Sequence, residues 1–277
     1  MTMSETVYGS DRWGKLAGAD EFADAARTLG AIARHSSELA ARKVYLSLLH
    51  LRPGQSVLEI GAGSGAIALD AARRVAPSGT VTALDPFQPL LDMAVAEAAS
   101  TGQGANLQTQ CGDARDLPFA DRSFDAVYCH WLLIHVAPAA RIIREMMRVT
   151  KPGGGVLCVE ADWETATVHP GNPAVTRCIL NACCDRQLDG WMGRKLLGTM
   201  RACGLADVAA HPIVSIDDGR QGDGWLDHVR SRADVALAAN AISPAERTAW
   251  LAAIDGGRAR GDYFFSVTQF AAVGTAP

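Results

Sequence analysis

Short apolar runs alternate with amphipathic stretches through the first half of this chain. The run Val57-Leu58-Glu59-Ile60 and the segments Thr80–Asp85, Leu107–Cys111 and 156–160 read as strands bounded by turn residues. Between them Ala66–Val75 reads as a helix, and so does the segment opened by Pro138, where Ile142, Met146 and Val149 recur at helical spacing until Pro152-Gly153 ends it. Upstream, residues 1–35 are mixed and partly helical around 21–35. A clearer helix spans 37–50, with Ser36 as its cap, Glu38 in its first turn and Ala40, Val44, Leu48 and Leu51 as its apolar stripe; Arg52-Pro53-Gly54 stops it. Strand alternating with helix predicts an α/β, doubly wound, mostly parallel sheet with helices on both faces. Two further strands are predicted late, at 208–214 and 264–273.

Two segments exceed what such a sheet needs, 161–190 and 217–261. In the second, Ser243-Pro244-Ala245-Glu246 is a capping box with proline at the first helical position, so a helix is expected to about Ile254, ending at Gly256-Gly257. Trp225, Trp250 and many alanines argue for order there. The expected organisation is N-terminal helices at 1–51, a core at 52–160 continued by 191–216, a cap insertion at 161–190, a helical cap insertion at 217–261, and a last core strand and tail at 262–277. The insertions and the N-terminal helices are read together as a cap over a ligand pocket.

Composition narrows the function. The 277 residues are 48% hydrophobic and 20% charged, with a net charge of −4 and no dense basic block. Phosphate-backbone binding needs many clustered cations, which excludes nucleic acid as the expected partner. No apolar run is long enough to span a bilayer, and residues 1–10 lack a basic-then-apolar leader, so a cytoplasmic location is expected. Seven cysteines (111, 129, 158, 178, 183, 184 and 203) include no CxxC pair and read as small buried hydrophobes; no metal site is predicted.

The chemistry lies where the strands end. Val57–Ile60 runs into Gly61-Ala62-Gly63-Ser64-Gly65, a GxGxG turn that admits a ligand close to the backbone and opens the next helix with unpaired N–H groups. Glu59 precedes the first glycine by two residues, Asp85 ends the second strand, and Asp113 follows the third in Cys111-Gly112-Asp113-Ala114. Lys151-Pro152-Gly153-Gly154-Gly155 comes later. In this order the four motifs resemble the class I S-adenosylmethionine (SAM) methyltransferases, above all the ubiquinone/menaquinone-biosynthesis-like branch acting on small molecules. The resemblance covers roughly residues 36–214.

That resemblance implies a seven-stranded Rossmann-like sheet with an antiparallel last strand, SAM as cofactor and S-adenosylhomocysteine as product. It implies that Gly61, Ala62, Gly63 and Gly65 pack under the cofactor and that Glu59 holds its ammonium. Asp85, followed by Pro86, would accept from the ribose hydroxyls. Asp113 and the Ala114 amide would meet adenine, with His130 bordering the site. Candidates for a proton-removing base are His135, Glu160 and Asp162, each of which also reads as a structural residue. Trp131, His135, Trp163 and Arg194 are candidates for the substrate pocket, with core packing or a solvated helix face as the other reading. The expected reaction is methylation of an oxygen or carbon of a small, partly hydrophobic acceptor (quinone-like, prenyl or secondary-metabolite), in biosynthesis, by a monomer or homodimer. Two alternatives stay open: a SAM-binding protein that does not methylate, and a nicotinamide oxidoreductase. The latter's GxGxxG fingerprint would place its third glycine where Ala66 stands.

Overall fold

The computed structural model describes residues 19–102 and 104–277; residues 1–18 of the expected N-terminal segment lie outside them. The seven strands are β1 (Ser56–Ile60), β2 (Thr80–Asp85), β3 (Leu107–Cys111), β4 (Phe124–His130), β5 (Thr150–His169), β6 (Ala206–Asp217) and β7 (Phe264–Thr275). They form one sheet in the order β3-β2-β1-β4-β5-β7-β6. Pairings β1–β2, β1–β4, β2–β3 and β4–β5 are parallel. Thr167 bonds Ser266 while Thr165 bonds the amide of Thr268, so partners on β5 and β7 run in opposite order and the pairing is antiparallel. The expected doubly wound, mostly parallel, seven-stranded sheet with an antiparallel last strand is present.

The chain divides into two compact units. One comprises residues 42–160, 194–211 and 270–277. Its centre is β1, β2 and β4, where Val57, Leu58, Ile60, Val81, Ala83, Leu84, Val127 and Tyr128 are wholly buried. Strands covered on both faces carry largely apolar runs, which is why β1 and β2 were legible. Helix α3 (Ala66–Val75) lays Ala68, Ala71, Ala72 and Val75 inward, and α5 (Ala139–Val149) buries Ile142, Ile143, Met146 and Val149. Helix α4 (Gln88–Thr101) ends on Gly102 in the left-handed conformation.

Of the described residues, the other unit comprises 19–41, 161–193 and 212–269. It holds α1 (Ala19–Arg34), α6 (Pro173–Arg186), α8 (Gly224–Ala238) and α9 (Pro244–Arg260). Asn172 caps α6 through the amides of Ala174 and Val175, and the Ser243/Glu246 capping box opens α9 as expected. Trp225 is fully buried, and buried Trp250 donates its indole N–H to Thr176 at 2.9 Å.

Several expectations are corrected. Helix α2 (Ser36–Ser47) buries Glu38, Ala41, Arg42, Tyr45 and Leu46, while Ala40 and Val44 face solvent. The face is set by polar partners: Ser215 and Gln269 donate to Glu38, and Arg42 donates to Asp70 at 2.7 Å and to the Ala66 carbonyl at 3.1 Å. Strand β5 runs 20 residues, so it absorbs the Lys151–Gly155 turn phrase and the first part of the expected insertion. Helix α9 passes through Gly256 and Gly257 and ends at Gly261. A Cβ on Gly257 would stand 2.3 Å from the Pro170 ring, so that glycine serves close packing and stops nothing. Of the cysteines, only 129, 158, 183 and 184 are buried; Cys111 and Cys178 are exposed, the former because β3 is an edge strand.

Candidate functional site

The chain leaves β1 toward β2 and β3, then returns on β1's other side as β4. This reversal opens a crevice at the carboxyl ends of β1 and β4, where open α/β sheets bind ligands. The GxGxG turn lies there. Gly61, Gly63 and Gly65 have φ of 70°, 53° and 74°, the left-handed region that side chains disfavour. The amides of Gly61 and Ala62 donate to the Leu84 carbonyl at 2.8 and 3.0 Å, tying the turn to β2. A Cβ on Gly65 would fall 2.4 Å from that of Ala94, whereas one on Gly63 meets nothing within 4 Å. Gly65 is therefore required by packing. Gly63 has open space on that side.

Three acids at or just after the ends of β1, β2 and β3 lie in different electrostatic states. Glu59 is 1% exposed and pairs in register with Tyr128 of β4, whose hydroxyl donates to its carboxylate at 3.1 Å. Burial pushes its carboxyl up to about 8, against the pull of Tyr128 and Arg42. Asp85 is also buried; its two oxygens accept the amides of Gly63 at 2.9 Å and Phe87 at 3.0 Å. Burial raises it to about 6, with those two amides working the other way. Asp113 is more open. Burial opposes its ionisation, but the Arg115 guanidinium and amide outweigh that and hold it below the usual carboxylate range. Ala114 beside it is buried, and Pro86 is half-buried after β2.

Beyond β4, Trp131 takes a φ of 51° and its amide donates to Val159, turning the chain. His130 stacks between Tyr45 and Trp131, with ring centroids at 5.3 and 4.9 Å. Glu160 is wholly buried and accepts the Leu133 amide at 2.6 Å, so it anchors the loop that carries half-buried His135. Arg194 lies exposed on the first turn of α7 (Met192–Cys203). Asp162 and Trp163 fall in the other unit, both buried, with Trp163 under the Arg232 guanidinium.

The structure thus brings Glu59, Gly61, Ala62, Gly63, Gly65 and Asp85 together around one turn. Sequence reading missed Arg42, Tyr128 and Arg115. Tyr128 was accessible from the strand register alone, Arg115 from its place two residues after Asp113. Nothing local marked Arg42. Among the described residues no cluster of His, Cys, Asp or Glu is placed to hold a metal, and no helix is long and apolar enough to cross a membrane.

Residues 58–158 match the family model described as a methyltransferase domain. The demethylmenaquinone methyltransferase of Symbiobacterium thermophilum is 36% identical over 117 residues, covering 42% of this chain and 47% of that protein. An uncharacterized 37.1 kDa protein of a Streptomyces fradiae transposon is 28% identical over 236 residues, 85% of this chain and 66% of that one. The chain spans about half the length of most curated relatives it matches. In fold it is similar to a protein of Bacillus halodurans C-125 solved as a candidate methyltransferase: TM-score 0.61 and 19% identity over 86% of this chain and 99% of that one.

Proposed function

We propose that this chain, whose residues 58–158 match a methyltransferase domain and which is similar over that region to demethylmenaquinone methyltransferases, is an enzyme that transfers a methyl group from SAM to an oxygen or carbon of a small, partly hydrophobic organic acceptor. The observation that carries the reading is the Gly63–Asp85 arrangement: a ligand-open glycine whose amide fixes a buried strand-end carboxylate. These residues suit the cofactor. Each Asp85 oxygen spends one lone pair on an amide and keeps another for a ribose hydroxyl. Glu59, a carboxyl that burial keeps protonated at neutral pH, gains a reason to ionise when an ammonium is set beside it. Asp113 and the Ala114 amide take the adenine edge, and His130 borders it.

When bound, SAM supplies a methyl group on a positively charged sulfur. The protein's share is to hold the acceptor in line and to remove its proton where an O–H or C–H acid reacts. We assign proton removal to His135, half-buried on the turn after β4, with Glu160 positioning that turn through the Leu133 amide. Asp162 is the second candidate base. Trp131, Trp163 and Arg194 are assigned to acceptor selection, as are the two insertions.

The test is to incubate the protein with methyl-labelled SAM and a panel of quinols, phenols and prenylated rings, reading S-adenosylhomocysteine and label transfer. Transfer to one acceptor class, lost at least about 100-fold in His135→Gln with SAM affinity kept, supports the reading. SAM binding without transfer to any acceptor favours a cofactor-binding protein that does not methylate.

A further inference from the structure

The second unit buries a cation that no carboxylate among the described residues answers. Arg232, in the middle of α8, is 5% exposed, and its guanidinium carbon lies 4.0 Å from the centre of the Trp163 ring. Its polar side-chain partners among the described residues are His228, one turn earlier, with Nη2 to Nε2 at 2.5 Å, and the Cys183 thiol. Its Nε is buried and has no hydrogen-bond partner. Trp163 and Trp225 both lie beside His228, its ring 5.5 Å from each, tilted to the first and edge-on to the second, and Cys183 donates its thiol to the Arg232 carbonyl. Among the described residues no carboxylate pairs with the guanidinium. Burial pulls its pKa down, and only Cys183 and Cys184 work against that.

A buried guanidinium is costly unless an acid answers it. The indole face offsets part of the cost but accepts no N–H. A guanidinium presents Nε–H and an adjacent Nη–H as a side-on fork that matches the two oxygens of a carboxylate. Here Nη2 can hold His228 with one hydrogen and share that fork with the other. His228, accepting at Nε2, is then neutral and adds no competing charge. Aromatic walls beside the fork suit a flat, apolar body.

We infer that Arg232, His228 and Trp163 form a recognition site for the carboxylate of a small planar organic acid. The site deepens the acceptor reading, to which Trp163 and the 217–261 insertion already belong, and its test reads acid binding without methyl transfer, so the two can fail separately.

Benzoate is the probe, with benzamide as its uncharged isostere and inorganic phosphate as a compact anion, each titrated by calorimetry into the whole protein. Benzoate is expected to bind at least about tenfold tighter than benzamide or phosphate. Arg232→Met, which keeps the apolar stem and drops the charge, is expected to lose that preference and to melt at the same temperature as wild type or higher, because no internal salt bridge is broken. Equal binding of the three probes, no benzoate binding, or a preference retained in Arg232→Met would overturn the site. The wild-type comparison of benzoate with benzamide decides without any variant.

Discussion

Replacing Glu59 by glutamine should stabilise the free protein and weaken its cofactor site together. The wild-type carboxyl is 1% exposed and is raised from its ordinary 4.5 to about 8. A folded-state pKa above the unfolded value means that the group's contribution is intact below about 4.5 and is lost as pH rises through about 8. At about 1.4 kcal/mol per unit, the loss is roughly 3 kcal/mol at pH 7 and about 4 kcal/mol at pH 8. Glutamine is the neutral isostere and can still accept the Tyr128 hydroxyl, so it removes the titration while keeping the hydrogen bond. Melting curves of wild type and Glu59→Gln should converge near pH 4.5 and separate as pH rises. For a chain of this size the gap near neutrality is on the order of 6–12 °C. Adding SAM should narrow the gap, because only the wild type can ionise against an ammonium. A gap independent of pH, or a variant less stable at every pH, would mean that Arg42 and Tyr128 already hold an ionised carboxylate, and the reasoning would fail.

Four further outcomes follow from the same geometry. Asp85→Asn turns one acceptor into a donor facing the amides of Gly63 and Phe87; SAM affinity by calorimetry should drop at least about 100-fold, and an unchanged Kd would remove Asp85 from the site. SAM affinity should climb with pH by up to about tenfold per unit below pH 8 and level off above it, since ammonium binding needs Glu59 ionised; a flat profile between pH 6 and 9 would place the ammonium elsewhere. Gly65→Ala, clashing with Ala94 at a φ of 74°, should cost several kcal/mol in thermal melts. Gly63→Ala, with nothing within 4 Å, should cost only about 1–2 kcal/mol while abolishing SAM binding; equal losses of stability in the two variants would contradict the assignment of Gly63 to the ligand.

What was legible in the sequence was whatever short-range pattern decides. β1, the glycine turn and α3 were read correctly because two-sided burial writes a largely apolar run and the left-handed turn demands glycine. The α9 start was read from its capping box. What failed was decided by residues far along the chain. Helix α2 presents its polar Glu38 and Arg42 inward because Ser215, Gln269 and Asp70 wait for them, so the apolar stripe through Ala40 and Val44 pointed the wrong way. β5 carries Pro152, three glycines and Glu164, poor strand formers, and is held in strand by pairing with β4 and β7. Gly256-Gly257 looked like a stop, yet Gly257 only makes room for Pro170. In the site, the acids and glycines were readable one by one. The protonation of Glu59 was not, because it depends on the partner strand's Tyr128 and on burial by both faces of the sheet.

The most direct measurement is calorimetry of the wild-type protein with SAM, S-adenosylhomocysteine and NAD in parallel. The turn built by Gly61, Gly63, Glu59 and Asp85 predicts micromolar binding of both sulfur compounds and none of NAD. Binding of NAD with neither sulfur compound would contradict the account at its base.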